Sequence, residues 1–113
     1  MAKFPMPGAP VRGSKSGKPL MAVFDLLGRS WSIGILWQLS EGGAATFREL
    51  QGRCESVSPT VLNSRLKELR QAGLVERTKN GYAATALGSE LYEMLAPLRT
   101  WSRKWAAQMK RGT

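Results

Sequence analysis

The feature that most constrains the fold is a stretch at residues 58–85, in which a helical pattern passes directly into a hairpin pattern. Ser58 and Pro59 are residue types preferred at the N-cap and the first position of a helix, and Gly73 is suited to ending it. At 3.6 residues per turn, one face of this helix carries Leu62, Leu66 and Leu69. The sequence therefore predicts an amphipathic helix between Ser58 and Gly73.

Two short segments, LVERT and YAAT, follow this helix and flank the residues Lys79-Asn80-Gly81. Asn-Gly is the strongest short signal for a tight hairpin turn, because both residue types tolerate left-handed backbone conformations. We therefore expect two antiparallel strands with Lys79, Asn80 and Gly81 at their tip.

Two further helices are predicted before this stretch. The first begins at Pro19 and ends at Gly28, and its apolar residues recur at helical spacing. The second, SWSIGILWQLSEGG, has Ser30 as its expected N-cap and stops at Gly42-Gly43. Because this second helix has almost no polar face, we expect it to lie in the middle of the core.

A third short helix begins at Thr46, which has the spacing of a capping box with Glu49. On its apolar face, Cys54 is expected to be a buried small hydrophobe rather than a reactive thiol, and a redox switch at this cysteine is the alternative. After the hairpin, Thr85 is the expected cap of a long final helix. Pro97 should kink or divide that helix.

The predicted order is four helices, a two-stranded hairpin and a long helix. Two helices joined by a short turn and followed at once by a hairpin are the layout of a winged helix-turn-helix, whose second helix enters the major groove of DNA. The fold class is therefore mainly α with a small β-hairpin, a winged helix-turn-helix. The terminal helices are expected to form a dimer interface, for the reason given below for the final helix. Residues 1–18, rich in Pro, Gly, Ser and Lys, predict a flexible basic N-terminal arm, and residues 19–110 the domain with its C-terminal dimerisation helix.

The charge of the chain narrows the choice of partner. Seventeen Lys and Arg against eight Asp and Glu give a net charge of +9 and a pI near 10.5. This favours a polyanion, most often nucleic acid and sometimes an anionic membrane surface, although basicity for solubility alone is an alternative. The chain has no His and one Cys, and it lacks a Gly-rich phosphate loop and a nucleophile motif. We predict that it is not an enzyme and holds no metal and no cofactor.

The face of the Ser58–Gly73 helix opposite the leucines is the candidate for base contacts. Its polar side chains can donate to or accept from base edges, with Asn suited to adenine and Lys to guanine. An ordinary solvated helix face is the alternative. The predicted base-contacting residues are Thr60, Asn63, Ser64 and Lys67.

Basic and polar residues around that helix are candidates for phosphate contacts, which supply affinity and position without sequence preference. Arg65 and Arg70 could equally pair with Glu68 or Glu76, and Lys3, Arg12 and Lys15 of the arm could add nonspecific attraction. The predicted phosphate and hairpin contacts are Arg48, Arg53, Ser58, Arg77, Lys79 and Asn80.

An apolar stripe along the final helix is too long for a core of this size to cover. A helix lying on a membrane surface is conceivable, because Trp, Met, Lys and Arg occur together near its end. Burial against a second copy, with help from the first helix, explains the stripe better, and a two-fold dimer would place two recognition helices one DNA turn apart. The predicted dimer contacts are Leu20, Phe24, Leu91, Leu95, Leu98, Trp101 and Trp105.

The order of these motifs resembles the HxlR-type bacterial transcription regulators, within the wider MarR-like group of winged-helix proteins. The resemblance lies in KPLMAVFDLLGRSWSIGILWQLSEG, in TFRELQGRCESVSPTVLNSRLKELRQAGLVERT, and in the final helix with Thr85-x-Leu87-Gly88 and a Trp101-x-x-x-Trp105 ending. It covers roughly residues 18–106. It implies a homodimer held by its terminal helices that represses or activates at inverted repeats.

Two positions depart from the family pattern. Many members carry a sensor cysteine just before the proline of the first helix, but Lys18 occupies that position here. The hairpin is also shorter than the family's usual wing, which reduces its expected reach into the minor groove. Thiol sensing at residue 18 is therefore not expected, and any small-molecule effector is unknown.

These observations predict a homodimeric regulator that binds double-stranded DNA at an inverted repeat. The alternatives are a winged-helix module that binds another protein and a basic protein that binds nucleic acid without sequence preference. No segment approaches the about 20 apolar residues of a membrane helix, and the basic arm lacks the apolar stretch of a secretory signal. We expect a cytoplasmic, nucleoid-associated protein with no membrane partner.

Overall fold

The computed structural model describes residues 6–112, which form six helices and one two-stranded sheet. The helices are α1 (Pro19–Leu27), α2 (Ser32–Gly42), α3 (Phe47–Arg53), α4 (Pro59–Gln71), α5 (Ala86–Leu95) and α6 (Leu98–Arg111). The strands are β1 (Val75–Thr78) and β2 (Gly81–Ala84), which pair antiparallel between α4 and α5. The predicted order of elements is confirmed, including the division of the final helix at Pro97.

The core is built around α2, which contacts α1, α3, α4, α5 and β2. Ile35 and Leu36 of α2 are fully buried, as the near absence of a polar face predicted. The three leucines of α4 pack into the same cluster and are exposed by no more than 1%. Burying one leucine stabilises a fold by about 1.5–3 kcal/mol, so this shared cluster fixes α4 on α2.

Side-chain caps begin three of the helices as predicted. Thr46 and Glu49 form a complete capping box at α3. The Ser58 hydroxyl oxygen accepts the Val61 N–H of α4 at 3.2 Å. Thr85 accepts the Gly88 N–H of α5 at 3.0 Å and donates to the Gly73 carbonyl at 2.6 Å. Thr85 therefore ties the start of α5 to the end of α4.

The start of α2 differs from the prediction. The N-cap is Trp31, in a left-handed conformation with φ of 72°, and the predicted cap Ser30 lies one residue earlier in the turn. The Trp31 ring packs against the core, and a Cβ on Gly34 would lie 3.4 Å from it. Packing of this large ring therefore decides where α2 begins, because it outweighs the preference for a hydroxyl cap.

The tip of the hairpin also differs in detail. Thr78 pairs with Gly81, so the two turn residues are Lys79 and Asn80 rather than Asn80 and Gly81. Gly81 is required for another reason, because a Cβ there would lie 2.2 Å from the carbonyl oxygen of Ala45. Ala45 approaches that closely because it exchanges two backbone hydrogen bonds with Tyr82, at 2.7 and 2.9 Å.

The N-terminal segment makes defined contacts that its composition did not predict. Within residues 6–18, Gly8 N–H donates to the Gly17 carbonyl at 2.8 Å, and Val11 pairs with Ser14. Arg12 donates its backbone N–H to the Asp25 carboxylate of α1 at 3.1 Å. Lys3 lies outside the described residues, and the flexibility of the arm remains a prediction.

Candidate nucleic-acid interface

The outer face of α4 is polar and exposed. Thr60, Asn63, Ser64 and Lys67 are all exposed on the side opposite the buried leucines. Within residues 6–112, the structure gives none of these four side chains a hydrogen bond or an ion pair. The four predicted base-contacting side chains therefore share one accessible surface.

Salt bridges and one backbone contact flank this face. Arg65 donates through Nη1 to Glu68 at 2.9 Å and through Nε to the carbonyl oxygen of Ser30 at 2.8 Å. Glu68 also accepts from Arg29 at 2.7 Å. Of the pairings that the sequence left open, the one between Arg65 and Glu68 is present, and these two side chains hold α4 against the turn between α1 and α2.

The hairpin adds basic side chains beside α4. The guanidinium of Arg77 lies over the Tyr82 ring at 5.5 Å from its centre, which orients an exposed cation. Lys79 and Asn80 are exposed at the tip. Four charged side chains line an open cleft between α4 and β1. Three are cations, Lys67, Arg70 and Arg77, and one is the carboxylate of Glu76. The surface from α4 to the hairpin is therefore predominantly positive.

Two of the predicted phosphate contacts also have structural roles. Arg53 donates through Nη1 to the carbonyl oxygens of Gln38 at 3.3 Å and Gly43 at 2.8 Å, so its guanidinium caps the end of α2. Ser58 accepts a hydrogen bond as the N-cap of α4, while its hydroxyl proton remains able to donate to a phosphate. Arg48 is exposed on α3. Arg53 is therefore the least available of the predicted phosphate contacts.

Cys54 is buried, with 3% of its surface exposed. Burial raises the pKa of its thiol, although the charge of Arg53 opposes the rise. A buried thiol with a raised pKa reacts slowly, because the thiolate is the nucleophile. Among residues 6–112, no group of three or more His, Cys, Asp or Glu side chains could hold a metal ion.

The apolar residues predicted to form a dimer interface fall into two sets. Leu91 packs against the core and Leu95 is half-buried, so the chain itself partly covers them. The other five remain about half exposed: Leu20, Phe24, Leu98, Trp101 and Trp105. Helix α6 has no buried residue, and the rings of Trp101 and Trp105 stack at 5.9 Å.

A contact cluster that the sequence did not reveal fixes the start of α6. Glu41 at the end of α2 accepts hydrogen bonds from Tyr92 of α5 and from Arg99 of α6. Arg99 lies 5.2 Å from the centre of the Trp37 ring, and Tyr92 packs edge-on against the same ring. The hydrogen bonds from Tyr92 and Arg99 lower the pKa of the Glu41 carboxyl. The remainder of α6 carries four further basic residues and no carboxylate.

The amino-acid sequence matches the HxlR-like helix-turn-helix family over residues 26–110. The chain belongs to this family. It is therefore a helix-turn-helix transcriptional regulator rather than an enzyme, and binding to DNA follows from that membership. The resemblance and the fold class predicted from the sequence are confirmed.

Individual HxlR relatives agree with this assignment. YvaP of Bacillus subtilis, an uncharacterized HTH-type transcriptional regulator, is 31% identical over 72% of this chain and 81% of its own length. The quinone-bound structure of YodB from B. subtilis is 30% identical, covers 75% of this chain and 96% of that one, and superposes with a TM-score of 0.69. A possible HxlR family transcriptional factor from Thermoplasma volcanium is 29% identical over 75% and 82% of the two chains, also with a TM-score of 0.69.

Among the described residues, no single helix has both the length and the apolar composition to cross a membrane. α1 and α2 meet that criterion only when joined as one segment, which is bent by 85°.

Proposed function

We propose that this HxlR regulator acts as a homodimer that recognises an inverted repeat, with α4 of each copy in the major groove. The observation that carries the proposal is the outer face of α4, which has four polar side chains without partners in the described chain. A basic hairpin stands beside this face, where the duplex backbone would pass. In a two-fold dimer, two such faces would have to lie about 34–36 Å apart to match one turn of DNA.

Within the groove, we assign base contacts to Thr60, Asn63, Ser64 and Lys67. Asn63 can make a bidentate contact to adenine, and Lys67 can donate to guanine. A good bidentate contact discriminates between bases by about 1–3 kcal/mol, whereas a single hydroxyl contributes less. Asn63 and Lys67 lie one helical turn apart, so both can reach neighbouring base pairs from one side of α4.

Outside the groove, we assign phosphate contacts to side chains on both sides of α4. Arg48 and Ser58 lie on the α3 side, and Arg77, Lys79 and Asn80 lie on the hairpin. Each neutralised phosphate makes the logarithm of the affinity fall by about 0.9 per unit of log salt. Arg53 would join this set only by leaving the carbonyl groups of α2.

Dimerisation is assigned to the exposed apolar residues of α1 and α6. Leu20 and Phe24 project from α1, and Trp101 and Trp105 from α6, each with about half of its surface in solvent. Large aromatic side chains are the residues that most often dominate protein interfaces. A second copy covers them without requiring any other partner.

Residue 18 of this regulator cannot sense thiol-reactive compounds, because it is a lysine. YodB is a quinone-bound relative, whereas Lys18 here occupies the position where many members of the family carry their sensor cysteine. Cys54 is buried with a raised pKa, so we infer that it does not act as a substitute. Under oxidant, the native protein and a Cys54→Ser variant should bind DNA equally well. A loss of binding by the native protein that Cys54→Ser does not show would contradict this inference.

The test is selection of duplexes from a fragmented source genome by the purified protein and by an Asn63→Ala plus Lys67→Ala variant. We expect the native protein to enrich an inverted repeat that the variant does not recover. The matched control is Thr100→Ala plus Lys104→Ala, which removes the same charge from exposed positions with the same spacing on α6. This control should recover the same repeat as the native protein.

Two results would contradict the proposal. Equal retention of all fragments, lost equally with salt in all three proteins, would identify a nucleic-acid-binding protein without sequence preference. Absence of salt-sensitive duplex binding would favour a winged-helix module that uses the outer face of α4 for a protein partner.

A further inference from the structure

Five charged side chains form a continuous path from the N-terminal arm to α4. Arg12 of the arm pairs with Asp25 of α1, which also lies 3.6 Å from Arg29 in the following turn. Arg29 pairs in turn with Glu68 of α4 at 2.7 Å, and Glu68 with Arg65 at 2.9 Å. We call these five residues the arginine–carboxylate path. It joins parts of the chain that are 13 and 39 residues apart in sequence.

Most of this path is shielded from water. The Asp25 side chain is 1% exposed and the Arg29 side chain 10% exposed, whereas Arg12 is 62% exposed. A buried charge is tolerated only when it is paired and hydrogen-bonded. Arg12 meets that need twice, since its backbone N–H and its Nε both donate to the Asp25 carboxylate. Its Nη2 also donates to the backbone carbonyl of Asp25.

The path acts on α4 from the side, whereas the leucines hold it from beneath. Contacts among leucine side chains are non-directional. They therefore strongly resist the separation of α4 from α2, but they resist small rotations of α4 only weakly. Hydrogen bonds from planar guanidinium groups are directional, and those to Glu68 and to the Ser30 carbonyl fix the rotation of α4 about its axis. Functional groups generally need placement within about 0.5 Å and 10–20° to work.

We propose that Arg12, Arg29 and Glu68 are positioning residues for base recognition, and that Arg12 contributes to sequence discrimination without touching DNA. This rests on the proposed function, because the groups being positioned are the base-contacting side chains of α4. On this assignment the basic arm holds the recognition helix α4 in its orientation. Pairing with Asp25, rather than attraction of DNA, is the main role of the Arg12 charge.

A direct phosphate contact is the competing role for the same residues. Arg12, Arg29 and Arg65 line one open cleft together with Gly28 and Ser30, and two carboxylates oppose the three cations. A phosphate contact and a positioning role affect different quantities. Loss of a phosphate contact weakens binding to all sequences and lowers the salt dependence, whereas loss of positioning lowers discrimination between sequences.

The experiment compares Arg12→Ala with Lys15→Ala on the full chain. Both variants remove one positive charge from the arm, and Lys15 lies outside the path and is exposed. The affinity of each variant is measured for the selected repeat and for a scrambled duplex, and the ratio of the two affinities is the discrimination. Both affinities are measured across a salt series, below the unfolding temperature of each variant. We expect Arg12→Ala to lose about tenfold in discrimination, comparable to the loss of one base contact. The salt slope of Arg12→Ala should equal that of Lys15→Ala.

Equal discrimination in Arg12→Ala and Lys15→Ala would overturn the proposal. A salt slope smaller by about 0.9 in Arg12→Ala alone, with discrimination unchanged, would overturn it in favour of a phosphate contact. Glu68→Gln is a second variant that keeps the size of the side chain but removes its charge, and it should lose discrimination in the same way as Arg12→Ala.

Amide chemical shifts measured without DNA keep this test separate from the proposed function. Arg12→Ala should shift the amide signals of residues 60–67 in α4, and Lys15→Ala should not. If the native protein shows no preference for any duplex, the proposed function fails, but these shifts still report whether Arg12 positions α4. Unshifted α4 signals in Arg12→Ala would overturn the positioning role itself.

Discussion

Helices α4 and α6 have similar lengths and both carry a one-sided apolar stripe, yet the stripe of α4 is buried and that of α6 is exposed. The leucines of α4 are exposed by no more than 1%, while α6 has no buried residue and exposes Trp101 and Trp105 by about half. The difference is in the partners available to each helix. α4 packs on α2, whereas α6 leaves the domain after Pro97 and touches it mainly through Arg99. An amphipathic pattern therefore predicts a helix that needs a partner, without telling whether that partner is in the same chain.

Leu66→Ala is expected to have the largest effect. Removing a fully buried leucine side chain should lower the free energy of unfolding by about 2–5 kcal/mol, because it leaves a cavity between α4 and α2. Urea-induced unfolding followed by circular dichroism measures this loss. The neighbouring exposed Lys67→Ala should change stability by no more than about 0.5 kcal/mol, and a similar loss in both variants would contradict the packing difference between the two faces.

Replacing both Trp101 and Trp105 by alanine tests the other stripe. In the proposed dimer, these rings should be central contacts, so the dissociation constant should rise at least about tenfold while the secondary structure is retained. Sedimentation equilibrium over a range of concentrations measures it. The Thr100→Ala variant, which alters an exposed side chain away from the apolar stripe and removes no charge, should dimerise as the native protein does. A monomeric native protein would remove the basis for this expectation.

Thr85→Ala tests the junction between the end of α4 and the start of α5. The variant loses the cap of α5 and the hydrogen bond to the Gly73 carbonyl, so unfolding should become easier by about 1 kcal/mol. Thr85→Ser retains the hydroxyl and should recover most of that stability in the same unfolding measurement. Equal losses in both variants would assign the effect to the methyl group rather than to the hydrogen bonds.

The smallest effect is expected from acid. Burial raises the pKa of the Asp25 carboxyl, but hydrogen bonds from Arg12 and the charges of Arg29 and Arg12 outweigh it, so the pKa is lower than in the unfolded chain. Ionised Asp25 therefore stabilises the fold above about pH 4, and this contribution is lost as the pH falls below that value. Unfolding midpoints in urea at pH 6 and pH 3 should differ less for Asp25→Asn than for the native chain. An equal difference would show that other carboxyls account for the acid sensitivity.

The sequence predicted those parts of the fold that depend on neighbouring residues. The capping residues Thr46, Ser58 and Thr85 act within one helical turn of their partners, and the leucines of α4 follow a local period, so both were identified correctly. The prediction of Ser30 as the N-cap of α2 is wrong, because the start of this helix depends on where the Trp31 ring packs. The turn of the hairpin was displaced by one residue because Ala45, far away in sequence, pairs with Tyr82.

The same distinction applies to the site. Helical spacing placed Thr60, Asn63, Ser64 and Lys67 on one exposed face, and their contacts with bases remain a prediction. No local pattern could show that Arg53 caps α2, because its partners are 10 and 15 residues away. The pairing of Arg12 with Asp25 likewise joins two segments that the composition alone separated into an arm and a domain.

In the proposed dimer, the charge of α6 would link assembly to the ionic strength of the surroundings. This helix carries five Lys and Arg residues and no acidic residue, so two copies that meet along α6 bring like charges together. Added salt screens that repulsion over about 10 Å and tightens the proposed dimer, while the same salt weakens its attraction to DNA. Osmotic stress would thus shift dimerisation and DNA binding in opposite directions, and occupancy of the proposed inverted repeat would be highest at an intermediate salt concentration.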